Sequence, residues 1–160
     1  MSSLSAVPLL SMDTVTGNQV SLRSIEPEVL VHIKAHRLPK DCFSPDASPG
    51  TEQDGLIWLG PNERLLIGGT APQLPANVYA TDVMDQYVIL EVTGTNAERL
   101  LQTGTSAYPR TDGSATRLRF GDVTAVVRNL GSDQWQLIVD TSVAHWFSDW
   151  LANRIAVLDL

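Results

Sequence analysis

From Val29 to Ala35 the apolar residues Val29, Val31, Ile33 and Ala35 alternate with Leu30, His32, Lys34 and His36, which is the period of a half-buried strand. Two further apolar runs, Leu56 to Leu59 and Arg64 to Gly68, flank Gly60-Pro61-Asn62. Pro61 presets the φ of a turn's first central position and Asn62 tolerates the second, so these runs read as a hairpin. Gln86 to Val92 is rich in β-branched and aromatic residues and reads as another strand, ended by Gly94. Thr95-Asn96-Ala97-Glu98 then fits a capping box, in which Thr hydroxyl and Glu carboxylate each satisfy the other's backbone N–H. A short helix over Asn96 to Thr103 follows, stopped by Gly104 in the left-handed conformation.

Thr116, Leu118 and Phe120 alternate with Arg117 and Arg119, and Gly121-Asp122 turns the chain into Val123 to Arg128, a second hairpin. Gly131-Ser132-Asp133 turns it again into Trp135 to Val139. Val143, Trp146, Phe147, Trp150 and Leu151 fall at i, i+3, i+4, i+7 and i+8, a wide apolar stripe on a final helix beginning near Ser142. Such an order of strands and helices predicts an α+β domain, a mostly antiparallel sheet with helices on one face. Residues 29–160 are expected to form this single domain. Residues 1–28, whose first part mixes Ser, Pro, Thr and Gly with isolated hydrophobes, are expected to form an extended arm. Pro39 to Gly55 holds too many breakers for a regular element and reads as a surface loop.

Composition narrows what such a domain does. With 160 residues, 43% hydrophobic and 18% charged, the chain is large and apolar enough to bury a core. Eleven basic against eighteen acidic residues give a net charge of −7, with the basic ones scattered, which argues against nucleic acid as a partner. No apolar stretch approaches the roughly 20 residues that cross a bilayer, so no membrane partner is expected. The single cysteine, Cys42, permits no intrachain disulfide, and no leader is recognised, which together suggest a cytoplasmic location.

The search for reactive groups turns up little. His32 and His36 share a side of their strand about 13 Å apart at roughly 3.3 Å per residue, too far for one metal. His145 adjoins the last helix's apolar stripe and reads as a surface residue. The acidic pairs Asp82/Asp85 and Asp41/Asp46 lie in loops, where carboxylates usually cap turns. Gly68-Gly69-Thr70 lacks the lysine and spacing of a phosphate loop, and no GxGxxG follows a strand. Trp58, Trp135, Trp146 and Trp150 suit a core, and any exposed one would mark a partner surface. The expected function is therefore a non-catalytic subunit of a larger enzyme, with no catalytic, cofactor-binding or metal-binding residue on this chain.

Leu56-Ile57-Trp58-Leu59-Gly60-Pro61-Asn62-Glu63-Arg64-Leu65-Leu66 resembles the Trp-Leu-Gly-Pro segment of the gamma subunit of heterotetrameric sarcosine oxidase, a relative of the folate-binding domain of the glycine-cleavage aminomethyltransferase. Thr81-Asp82-Val83-Met84 with the strand to Gly94 and the Ala97 to Leu101 helix, the Ala115 to Val127 hairpin, and Trp135 to Val139 with the helix reaching Trp150-Leu151 are similar to the family in order and spacing. The likeness spans about residues 29 to 151. It departs from the family in Pro39 to Gly55, where a helix is usual, and in Asp140-Thr141-Ser142, which replaces an Arg-Ser opening.

The resemblance implies half of the aminomethyltransferase folate-binding fold and a division of labour among chains. The alpha-type subunit would carry NAD and tetrahydrofolate sites, the beta-type FAD and a shared FMN site, the delta-type zinc, and this chain none. The assembly would demethylate sarcosine or a related secondary amine, with this chain packing chiefly on the alpha subunit. Trp58, Leu59, Gly60, Pro61, Glu63, Asp82, Gly94 and Trp150 carry the family motif and are the interface candidates. The alternative is a stand-alone folate or small-ligand binding domain, which would need a pocket with a buried carboxylate and aromatic walls.

Overall fold

A computed structural model describes residues 14–37, 50–69 and 73–158. Eleven strands and two helices run in the order β1 (Val15–Thr16), β2 (Ser21–Ile25), β3 (Leu30–Ala35), β4 (Glu52–Gln53), β5 (Leu56–Gly60), β6 (Glu63–Ile67), β7 (Val78–Asp82), β8 (Tyr87–Thr93), α1 (Ala97–Gln102), β9 (Ser114–Phe120), β10 (Val123–Gly131), β11 (Gln134–Asp140) and α2 (Thr141–Leu158). They build two sheets, a six-stranded one ordered β1-β2-β8-β11-β10-β9 and a five-stranded one ordered β4-β5-β6-β3-β7. Every pairing is antiparallel. The α+β class expected from the sequence is the class observed.

The six-stranded sheet is the middle of three layers. On one face Leu22, Val88, Leu90, Val92, Ala125, Val127, Leu137 and Val139 pack with α1 and α2 through Leu100, Leu101, Phe147 and Leu151. The residues between them, Ile89, Val126 and Ile138, turn the other way and meet Leu30, Ile57, Leu59 and Leu65 of the five-stranded sheet. Strands covered on both faces read as continuous apolar runs. That is why β8, β10 and β11 lack the alternation of β3.

Several expectations need correction. The stretch expected to be an arm divides: residues 1–13 lie outside the described residues, whereas β2 is an interior strand pairing with both β1 and β8. Val20 and Leu22 are buried there, so long-range burial overrides the arm's polar, breaker-rich composition. Of the expected loop, 38–49, with Asp41, Cys42 and Asp46, lie outside the described residues. Beyond them Glu52–Gln53 pairs with β5 across Asp54-Gly55, both at positive φ, as a two-residue hairpin turn requires. β7 was not foreseen.

The capping box does not form. Thr95 gives its hydroxyl to Gln19 Oε1 at 2.9 Å, Asn96 caps α1 without a side-chain bond, and Glu98 accepts from the Tyr108 hydroxyl at 2.7 Å. Gly104 is not left-handed either. It is glycine because a Cβ there would lie 2.0 Å from Cε1 of the buried Phe120 ring. In α2 the buried face is Ala144, Phe147, Ser148, Leu151 and Ile155, one step round from the expected stripe, leaving Trp146 half exposed. The start of α2 is fixed by Asp140, whose Oδ1 accepts the Ser142 N–H at 2.8 Å.

Candidate functional site

The Trp-Leu-Gly-Pro segment occupies β5 and the turn into β6. Register shifts between Trp58 and Gly60, so that Gly60 stands opposite Glu63 and the hairpin bends at its tip. Arg64 folds back across this bend. Its Nη1 donates to the Gly60 carbonyl at 2.6 Å and to the Glu63 carbonyl at 2.8 Å, and its guanidinium lies 5.9 Å from the half-buried Trp58 ring. Burial holds the Arg64 pKa below the ordinary arginine value. Leu59 points the other way into the core between the sheets, and Pro61 is exposed at the turn.

Glu63 ties this hairpin to its surroundings. Its carboxylate accepts from Lys34 on β3 and from Arg117 on β9, both at 3.1 Å, so one side chain joins the two sheets at their rim. The Lys34 bond, with help from Arg117, keeps the Glu63 pKa below the usual carboxylate range. His32 sits in the same corner with Nε2 buried and, among the described residues, no hydrogen-bond partner. Desolvation is the main cause lowering its pKa; Lys34 and Arg117 add to the effect and Glu63 opposes it.

A folded-state pKa below the unfolded value of about 6.5 means the unfolded chain takes up the proton first, so stability is unaffected above that pH and falls as pH drops below it. His32→Gln is expected to flatten the fall in the urea midpoint between neutral pH and pH 5. An unchanged slope would show that other groups set it.

A deeper set of charges joins the sheets further in. Arg128 on β10, its side chain about nine-tenths buried like that of Glu52 on β4, grips the Glu52 carboxylate through Nε at 2.9 Å and through Nη2, while Nη1 donates to the buried Gln136 of β11. In the same cross-strand row Glu91 of β8 accepts from Arg23 of β2 and, through Oε2, from Gln134 at 2.8 Å. The row Arg23, Glu91, Gln136, Arg128 thus crosses four neighbouring strands. These residues were not singled out from the sequence. Their signal was a charge inside an otherwise apolar strand, which in a folded protein means a paired buried ion.

Of the motif residues, the hairpin brings together Trp58, Leu59, Gly60, Pro61 and Glu63, while Asp82, Gly94 and Trp150 lie apart. Asp82 ends β7 and accepts the Met84 N–H at 3.0 Å, forming a turn. Gly94 has φ +116°, and a Cβ there would come within 2.3 Å of the Gln19 carbonyl oxygen. Trp150 is half-buried against Phe120 and Phe147, with the Arg154 guanidinium 5.0 Å from its ring. His145 faces Asp149 at 3.6 Å on the outer side of α2. Among the described residues no group of three or more His, Cys, Asp or Glu could hold a metal ion, and no helix is long and apolar enough to cross a membrane. What the site does chemically is hold two sheets together by charge.

The model of the sarcosine oxidase, gamma subunit family matches residues 47–157. Among solved structures the chain is similar to one from the heterotetrameric sarcosine oxidase of Corynebacterium sp. U-96 in complex with pyrrole 2-carboxylate. The TM-score is 0.72 at 18% identity, covering 92% of this chain and 89% of that one. No curated protein sequence matches.

Proposed function

Because the chain belongs to the sarcosine oxidase gamma subunit family, we propose that it works as a structural subunit of a heterotetrameric flavoenzyme that oxidatively demethylates sarcosine or a related secondary amine, coupled to tetrahydrofolate. Its partners are alpha-, beta- and delta-type chains, chiefly alpha, and FAD, FMN, NAD, tetrahydrofolate and zinc reside on them. The assembly works in the cytoplasm. The observation that carries this reading is the family match across the hairpin, both helices and strands β8 to β11 of the middle sheet.

The geometry agrees in kind. The buried carboxylates Glu91 and Glu52 are engaged by Arg23, Gln134 and Arg128, and neither is available to hold a pterin. Charges spent on joining sheets leave a rigid body whose contribution is surface. On this reading Pro61, Asp82, and the half-buried Trp58 and Trp150 are contact residues, Leu59, Gly60 and Glu63 shape the hairpin that presents them, and Gly94 sets a turn.

Expression of the other subunits with and without this chain tests the proposal. Amine-dependent oxidation is expected to fall steeply, with loss of the assembled mass, when the chain is omitted, and the purified chain is expected to show no turnover and no flavin absorbance. Saturable micromolar binding of tetrahydrofolate to the chain alone would overturn it.

A further inference from the structure

The five-stranded sheet ends on β7. A few bonds fix which of its backbone groups face outward. The Val83 N–H donates to the Leu30 carbonyl at 3.0 Å, and the β3–β7 register, with Val31 opposite Asp82, puts Leu30 opposite Val83. Antiparallel ladders alternate bonded and non-bonded pairs. Leu30/Val83, His32/Thr81 and Lys34/Tyr79 are therefore the bonded pairs. The intervening β3 residues serve β6 instead, as the Gly68 N–H to Val29 carbonyl (2.8 Å) and Ala35 N–H to Asn62 carbonyl (3.3 Å) bonds show. By the same alternation the N–H and C=O of Ala80 and Asp82 point away from the sheet.

This edge is unguarded in composition. Of the five residues of β7, Val78, Tyr79, Ala80 and Thr81 carry no charge and none is proline, so Asp82, the last, is the one charge among the devices that usually blunt an edge strand. The other sheet edges are better protected: β1 and β4 have two residues each, and β9 carries Arg117 and Arg119 and is bridged at Ser114 to Thr51. Four large apolar side chains are exposed among the described residues, and two of them, Tyr79 at 69% and Met84 at 40%, flank this edge. Its C-terminal end is acidic, with Asp82 and Asp85 exposed, and Glu26 and Glu28 are exposed on the segment entering β3.

We infer that β7 is a docking edge to which an extended segment of another subunit of the oxidase adds as a sixth strand, bonded to the backbone of Ala80 and Asp82, covering Tyr79 and Met84, and carrying a lysine or arginine beside Asp82. This rests on the assembly reading above. Open main-chain groups recognise a strand, and flanking side chains select its sequence. The acidic end asks for a basic residue. A second copy is disfavoured because it brings the same net charge of −7.

Ala80→Pro probes the edge directly, because it removes an N–H that the sheet does not use. Tyr79→Lys adds a guarding charge at an exposed position and serves if the proline variant fails to fold. Each is coexpressed with the other oxidase subunits, and backbone hydrogen exchange is followed in the free chain and in the wild-type assembly. The expected results are exchange at Ala80 and Asp82 slowed on the order of tenfold or more by assembly, and assembly weakened by on the order of tenfold in the variants, with the free chain's melting temperature unchanged. Equal exchange in the free and assembled protein, or normal assembly of the variants, overturns the inference and leaves the subunit reading standing. Slow exchange already in the free monomer, or appearing only on self-association, assigns the edge to the chain's own residues or to a second copy and also overturns it. A wild-type chain that joins no partner removes both.

Discussion

Arg128→Met is expected to lower the unfolding free energy by about 3–5 kcal/mol, because it strands the Glu52 carboxylate between two sheets with no cation to meet it. Both side chains are about nine-tenths buried, so solvent screens little of the loss. Gln136 loses a donor at the same time. Glu52→Gln should also destabilise, since it leaves the guanidinium without its counterion. The double variant Glu52→Gln/Arg128→Met removes both charges and is expected to recover a large part of the loss. Urea unfolding of the four proteins reads the coupling as a double-mutant cycle. Additive single effects would show that the pair does not act as a unit.

Gly104→Ala is the second large effect. The added methyl would sit 2.0 Å from Cε1 and 2.3 Å from Cδ1 of Phe120. That ring cannot slide aside, because Phe147 meets it edge-on at 5.4 Å and Trp150 at 6.1 Å. Overpacking of a filled core costs roughly 1–3 kcal/mol and at times more, and the upper end is expected here. Phe120→Leu alone also destabilises, yet it makes room for the methyl. In thermal melts Gly104→Ala should therefore cost less in the Phe120→Leu background than in the wild type. Equal costs in both backgrounds would place the strain in the backbone instead.

How much of this was legible depends on where each signal is stored. β9 alternates from Thr116 to Phe120 and β3 from Val31 to Ala35, the turns at Pro61-Asn62 and Gly121-Asp122 carry their own chemistry, and α2 has a helical period, so all were readable locally. β2 was not. Its five residues, Ser21–Ile25, become a strand because β8 offers a partner 68 residues away between Arg23 and Glu91, a fact held by the tertiary structure alone. β7 was missed because an edge strand buries little and so shows no period. The face of α2 was misjudged by one step because its apolar residues span a wider arc than the sheet covers.

For the candidate site, Glu63 was recognisable in its motif, but its partners Lys34 and Arg117 come from strands that meet only on folding. The row from Arg23 to Arg128 leaves a trace in the sequence. Glu91 stands inside Ile89 to Val92 and Arg128 follows Val123 to Val127, and charges in such places ask for partners.

The middle position of β8, between β2 and β11, bears on how the nascent protein leaves the ribosome. Translation delivers the whole five-stranded sheet by Asp82, and at Thr93 the second sheet consists of β8 and the strands upstream of it. Leu22, Leu90 and Val92 then face water until β9 to β11 and α2 are synthesised. A ribbon of so few strands is marginal alone. A polypeptide cut short before α2 thus leaves apolar sheet surface uncovered, a substrate for chaperones and proteases rather than a smaller working part.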